Sequence, residues 1–199
     1  MSNITKANLG DSTEVSLLQT PVQKETIRAG GVFHVQCFDQ HGNLKWEERN
    51  HNLVVNEGLQ SMVAVYLDAA TQITTWYVGL VEGPGASTTY SGTQTLASHG
   101  TTGGGGWTEL IPGTAYTGNR KTATFGTATT ADPSVIDNSA SPAEFTMSGT
   151  YTVAGAFLCN AATGTSGVLF SASDFTGGDR SVVANDIVRV TYTFSLDAV

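Results

Sequence analysis

The ten residues Ile187–Leu196 read IVRVTYTFSL. Val188, Val190, Tyr192, Phe194 and Leu196 fall on one side of a two-residue period, and Arg189, Thr191, Thr193 and Ser195 on the other. Successive side chains of a strand point to opposite faces, so this pattern describes a β-strand with an apolar face against a core and a polar face turned away. The same period governs Gly31–Phe38 (GVFHVQCF), where Phe33, Val35 and Cys37 share one face and His34, Gln36 and Phe38 the other. After a polar loop at Asp39–Asn43 it returns at Leu44–Arg49 (LKWEER), with Leu44, Trp46 and Glu48 opposite Lys45, Glu47 and Arg49. Two alternating runs joined by a short Gly-containing loop predict a β-hairpin over 31–49.

Further strands are expected at Leu53–Val55, Thr75–Val81, Trp107–Ile111, Lys121–Ala128, Ala143–Tyr151, Thr152–Asn160 and Gly167–Ala172. One segment departs from the two-residue period. Leu59, Met62, Val63, Tyr66 and Leu67 recur at i, i+3, i+4, i+7 and i+8, which predicts a helix near Glu57–Asp68 with Asn56 in the capping position. Short strands at near-even spacing, with Gly, Pro, Asn and Asp between them, indicate a mainly β domain of β-sandwich or jelly-roll type over residues 31–199. Residues 1–30 are polar and weakly periodic, and read either as an extended N-terminal arm or as a disordered terminus. Glu82–Gly106 is a long polar stretch, a length at which loops are usually functional or mobile.

Composition narrows the function. Charged residues make up 13% of the 199, about half the usual ~25%. The formal net charge is −8, and the nine Lys and Arg residues are scattered along the chain. Phosphate-backbone binding needs clustered basic residues, so direct nucleic-acid binding and an anionic membrane surface are both disfavoured. No run reaches the ~18 apolar residues of a membrane-spanning helix, and no basic segment followed by an apolar stretch marks a secretory signal. Cys37 and Cys159 are too few for a disulfide framework and read as free, buried thiols of a protein made in a reducing cytoplasm, unless their strands meet across the core.

Chemistry-bearing patterns are sparse. His34, His41, His51 and His99 sit in none of the spacings that build a zinc site. Gly103–Gly106 lacks the Lys-Ser/Thr and the helix of a phosphate-binding loop and reads as a flexible tether before a strand. Glu47 and Glu48 are adjacent on a strand and point to opposite faces, so they cannot act as a carboxylate pair. Asp174–Asp179 (DFTGGD) could bend around Ca²⁺ but lacks EF-hand spacing and reads as a turn. No nucleophile elbow is present, and neither catalytic, cofactor-binding nor metal-ligating residues are nominated. The Thr-rich face of the strands suits a surface lying flat against another protein, because desolvating a hydroxyl costs far less than desolvating an ion.

Four segments carry a family resemblance. Gly30–Gly58 reads GGVFHVQCFDQHGNLKWEERNHNLVVNEG and resembles a pattern of small virion proteins of tailed bacteriophages, F-x-V-x-C/V-x-D-x-x-G-N-L-K-W followed by H-N-L-V-V-N-E-G-L. Further similarity lies at Thr75–Leu80 (TWYVGL), at Asn138–Phe157 with SASPAEFTM, and at Ser181–Leu196 (SVVANDIVRVTYTFSL). The resemblance spans about Gly30 to the C-terminus. It implies a non-enzymatic capsid decoration or cement protein, located in the virion and made in the host bacterial cytoplasm. Its implied partners are the major capsid protein or other virion proteins and, in a homo-oligomer, its own copies. The alternative is a tail, neck or adsorption component contacting virion proteins or a host receptor, for which Trp76, Tyr77, Tyr90, Trp107 and Tyr116 could supply a stacking surface. An enzyme such as a virion-borne hydrolase finds support only in the long loop.

Overall fold

The computed structural model describes residues 4–7, 15–18, 26–83, 91–98 and 108–198, the first two segments as backbone. In chain order the elements are β1 (Ile4–Ala7), β2 (Val15–Leu18), β3 (Ile27–Phe38), β4 (Leu44–His51), β5 (Leu53–Val54), α1 (Asn56–Leu67), β6 (Trp76–Gly83), β7 (Thr108–Glu109) and β8 (Lys121–Ala123). They continue with β9 (Ser134–Asp137), β10 (Ala143–Thr146), β11 (Tyr151–Cys159), β12 (Leu169–Asp174), β13 (Arg180–Val182) and β14 (Ile187–Ala198). β1 and β2 pair with each other. The remaining strands make two antiparallel sheets, the mainly β sandwich with one helix that the sequence predicts.

The first sheet runs β10-β14-β3-β4, with β9 also on β14; the second runs β5-β12-β11-β6-β7, with β13 on β11 and β8 on β6. The axis of the first sheet is the β3–β14 ladder, twelve residue pairs from Ile187↔Phe38 to Ala198↔Ile27. The strand expected from Gly31 therefore begins at Ile27, and residues 27–30, read above as part of the N-terminal arm, lie inside it. Phe33, Val35, Cys37, Val188, Val190 and Tyr192 all point inward and are fully buried, as their alternation requires. They meet Val78, Leu80, Ala156 and Leu158 of the second sheet in the main core.

The second sheet is covered on both faces. A second apolar cluster of Val55, Val81, Leu96, Ala154, Phe157, Cys159, Leu169 and Ala172 lies on its outer side. Every residue of β11 from Val153 to Cys159 is consequently buried. A β-bulge between Val153 and Gly155 changes which residues face which cluster. Val153 enters the main core and Ala154 the outer cluster before it; Ala156 and Leu158 enter the core and Phe157 and Cys159 the outer cluster after it. Leu96 belongs to the stretch expected as an unstructured loop, and in the structure residues 91–98 pack on this outer face. Gly103–Gly106, read as a tether, lies outside the described residues.

α1 lies within one residue of its expected bounds, but its cap and its burial differ. Val55 is the capping residue, and Asn56 stands inside the helix with its backbone N–H donating to the Gly92 carbonyl. The first turn is pinned to the second sheet: Glu57 Oε2 accepts from the backbone N–H of Leu169 at 2.7 Å and of Leu96 at 3.3 Å. Gly58 is the one buried residue of the helix and sits against the Phe170 backbone. Beyond that turn the apolar face is mostly uncovered. Met62 packs on the core, whereas Leu59 and Val63 are 37% and 57% exposed and Tyr66 and Leu67 are both 84% exposed.

Candidate functional site: an uncharged cleft at the open end of the sandwich

The inward row of β14 outruns its cover. Val188, Val190 and Tyr192 are sealed between the sheets, Phe194 is half-buried and Leu196 is 37% exposed. Here the two sheets part and leave a cleft of about 330 Å³. β9 and the end of β14 form one wall, α1 and Trp76 at the start of β6 the other, and Phe170 and Leu158 the floor. None of its described lining residues is charged.

Aromatic packing shapes the cleft. Trp76 meets Phe170 edge-on at 5.2 Å between ring centroids, and Phe170 meets Phe194 at 5.3 Å. Phe125 sits 6.2 Å from the ring of Tyr192. The Tyr192 hydroxyl accepts from Asn52 Nδ2 at 3.0 Å and receives the Ser171 hydroxyl at 3.3 Å. Burial pushes that phenol above its ordinary pKa, so it stays neutral and adds no charge to the cleft. The arrangement offers apolar and aromatic surface with a few neutral polar groups. It suits binding by burial.

The other places where the sequence raises chemistry are occupied by structure. His34 Nε2 stands 3.3 Å from Glu47 Oε2 on the outer face of the first sheet, and His41 contacts Gln40 in the β3–β4 turn. His99 lies outside the described residues. Glu47 and Glu48 do point apart: Glu47 is exposed, while Glu48 turns inward to accept from Arg180. Asp174–Asp179 is a turn between β12 and β13, held by the Phe175 N–H donating to Ala154 O and by Asn50 Oδ1 accepting from the N–H and the hydroxyl of Thr176. Among the described residues no three His, Cys, Asp or Glu side chains converge to hold a metal ion. Cys37 and Cys159 are free, fully buried and in different clusters.

Comparison with protein-family models, with curated proteins and with solved structures finds no match.

The aromatic residues considered for receptor stacking do not form one surface. Tyr116 is fully buried against Phe145 at 4.8 Å, and Tyr77 packs on the outer cluster. Trp76 alone of the described members reaches the cleft, and Tyr90 and Trp107 lie outside the described residues. One polar constellation escapes sequence reasoning entirely, the buried pair of Glu109 on β7 and Arg120. Eleven residues separate the two, and no periodicity links them. Arg120 also donates to the carbonyls of Ala161 and Gly164 and lies 5.2 Å over the Phe157 ring, so all its contacts are internal to the fold. Among the described residues no helix is long and apolar enough to cross a membrane.

Proposed function

We propose that this chain is a non-enzymatic structural subunit of a tailed-bacteriophage virion, a capsid decoration or cement protein that binds the major capsid protein lattice and stabilises the shell. The observation that carries the assembly part of this reading is the uncovered apolar face of α1. A helix on the surface of a self-sufficient domain normally turns charged and polar residues to solvent. Here Leu59, Val63, Tyr66 and Leu67 stand out beside an uncharged cleft, the kind of contiguous apolar patch that marks a contact with another protein.

The outer face of the first sheet supports the same reading. Its middle carries hydroxyls, with Thr191, Thr193 and Ser195 half-buried along it, while Arg189 pairs with Glu144 at 2.7 Å and His34 Nε2 stands 3.3 Å from Glu47 Oε2. Such a surface lies flat against a neighbour at low desolvation cost. Repetition of weak contacts over a lattice then supplies avidity that a single site lacks.

The virion and capsid parts rest on the sequence resemblance. Its segments fall on β3–β5, the first turn of α1, β6, β10–β11 and β13–β14, the strands that build both sheets. The deciding experiment is to locate and count the chain in intact particles by quantitative mass spectrometry and electron microscopy. Copies across the whole shell support decoration; a few copies at one vertex or along the tail support the tail, neck or adsorption alternative. Particles free of the chain overturn both. Shells that lack the chain yet resist heat and osmotic shock equally well remove the stabilising role.

A further inference from the structure

We propose that the cleft and the exposed face of α1 form one self-complementary interface, and that its occupant is a second copy of this chain. The proposal rests on the assembly reading in taking a protein as the occupant, and it goes further by naming which protein and which residues.

Three properties of the patch point to a second copy. The first is charge. At a formal net −8, two copies repel each other over most of their surfaces. Between Glu57, which is tied to the Leu96 and Leu169 amides, and the capping Asp68, α1 carries no charged residue, and the described lining of the cleft carries none. The centre of this face is therefore uncharged, and its ions stand at the edges: Asp68 at the C-terminal cap of α1, and Arg28 and Asp197 opposite each other beside Ile27 and Leu196.

The second is area. Leu59, Val63, Tyr66 and Leu67 are joined by Leu196 on the cleft rim and by Ile27, 76% exposed, which continues the inward row of β3 beyond Ala29, the partner of Leu196. With ordinary residue surface areas these six expose roughly 700 Å², close to the ~800 Å² per partner of a standard-size protein interface.

The third is shape. A two-fold axis brings the same patch of each copy against the other, so a patch that pairs with itself needs a projection and a recess side by side. Tyr66 and Leu67 are the most exposed of the large apolar residues on the described surface, and Tyr66 also borders the recess. In a two-fold pair the Tyr66–Leu67 ridge of each copy enters the cleft of the other against Trp76 and Phe194, while the two α1 helices pack across the axis. Buried aromatic anchors seated in pockets are where interface energy concentrates.

The test is sedimentation of the full-length chain and of Tyr66→Asp, Leu67→Asp and Ile111→Asp, each with a thermal melt. Ile111 is an exposed apolar residue away from the cleft and serves as control. The expected result is a wild-type dimer, a dissociation constant raised about tenfold or more by either cleft substitution, and no change for the control. Melting of the cleft variants measured as monomers should match that of the diluted wild type, because residues this exposed contribute little to the fold. A wild-type chain that stays monomeric at the highest concentration reached overturns the proposal, as does a dimer indifferent to both cleft substitutions. In the monomeric case, hydroxyl-radical footprinting at Tyr66 separates the remaining occupants: protection in the isolated chain assigns the patch to another segment of the same chain, and full labelling assigns it to a different protein. Failure here leaves the virion reading standing, since a decoration subunit can bind as a monomer; absence from particles leaves the dimer standing.

Discussion

Arg120 and Glu109 meet in a closed two-pronged ion pair, Nε to Oε1 at 2.7 Å and Nη2 to Oε2 at 2.6 Å, with both side chains fully removed from solvent. The pair joins β7 to the loop after β11, because the same guanidinium donates to Ala161 O at 2.9 Å and Gly164 O at 2.8 Å. A buried pair adds little over well-packed apolar groups, but breaking it leaves one charge stranded in a medium that cannot solvate it. Arg120→Met and Glu109→Leu are each expected to cost about 3–5 kcal/mol of unfolding free energy. The double substitution should cost clearly less than the two losses added, though not nothing, since two carbonyls still lose their donor. Urea denaturation of the four proteins as a double-mutant cycle measures the coupling. Additive losses would show that the pair does not act as a unit.

Little of that pair was legible beforehand, and the reason is general. Period-two alternation reports which face of a strand is apolar, so β3, β4 and β14 could be read from Phe33–Cys37, Trp46–Glu48 and Val188–Leu196 directly. It says nothing about partners 11 or 132 residues away, such as Arg120 for Glu109 or Arg180 for Glu48. β9 and β13 were missed because four and three residues are too few to establish a period. The strand expected at Ala143–Tyr151 stops at Thr146, and Tyr151 already belongs to the next strand; between them Ser148 N–H donates to Ala115 O. The bulge at Gly155 hides in a run of small residues whose burial on both faces erases alternation. The cleft shows a different limit. Helical periodicity locates the apolar face of α1, but segregation of side chains is the same whether the face is covered by its own sheet or left for a neighbour.

Gly58 shows how closely α1 is held at its first turn. A Cβ added there would overlap the Phe170 carbonyl oxygen and lie 2.9 Å from Phe170 Cα. Both are backbone atoms of β12, so no side-chain rotation can relieve the contact. Gly58→Ala should gain the helix propensity of alanine, about 1 kcal/mol, yet lose more by forcing the helix off the sheet. The net expectation is a destabilisation of roughly 1–3 kcal/mol, accompanied by weaker protection of the Leu169 amide that donates to Glu57. Thermal melts and amide exchange measure the two effects. A stabilised Gly58→Ala protein would mean that α1 does not sit against Phe170.

Two hydrogen-bonded carboxylates contribute to the response to acid. Asp39 accepts from Asn43 Nδ2, from the Asn43 N–H and from the His41 N–H, and these bonds, led by the Asn43 side chain, hold its carboxyl below the ordinary 3.8. Asp137 accepts from the hydroxyl and the N–H of Ser139, and is lowered likewise. A carboxyl that ionises more readily in the folded chain stabilises the fold above its unfolded pKa, and that contribution disappears as the pH falls through the folded value. Asp174 works in the opposite sense: burial raises its carboxyl, so the folded chain holds that proton more tightly and gains relative stability as the medium becomes acidic. Removing each group isolates its share. Between about pH 5 and about pH 2 the melting temperature of Asp39→Ala and of Asp137→Ala should fall less steeply than that of the wild type, and that of Asp174→Ala more steeply. Parallel curves for all four proteins would mean that these bonds do not distinguish the folded chain from the unfolded one.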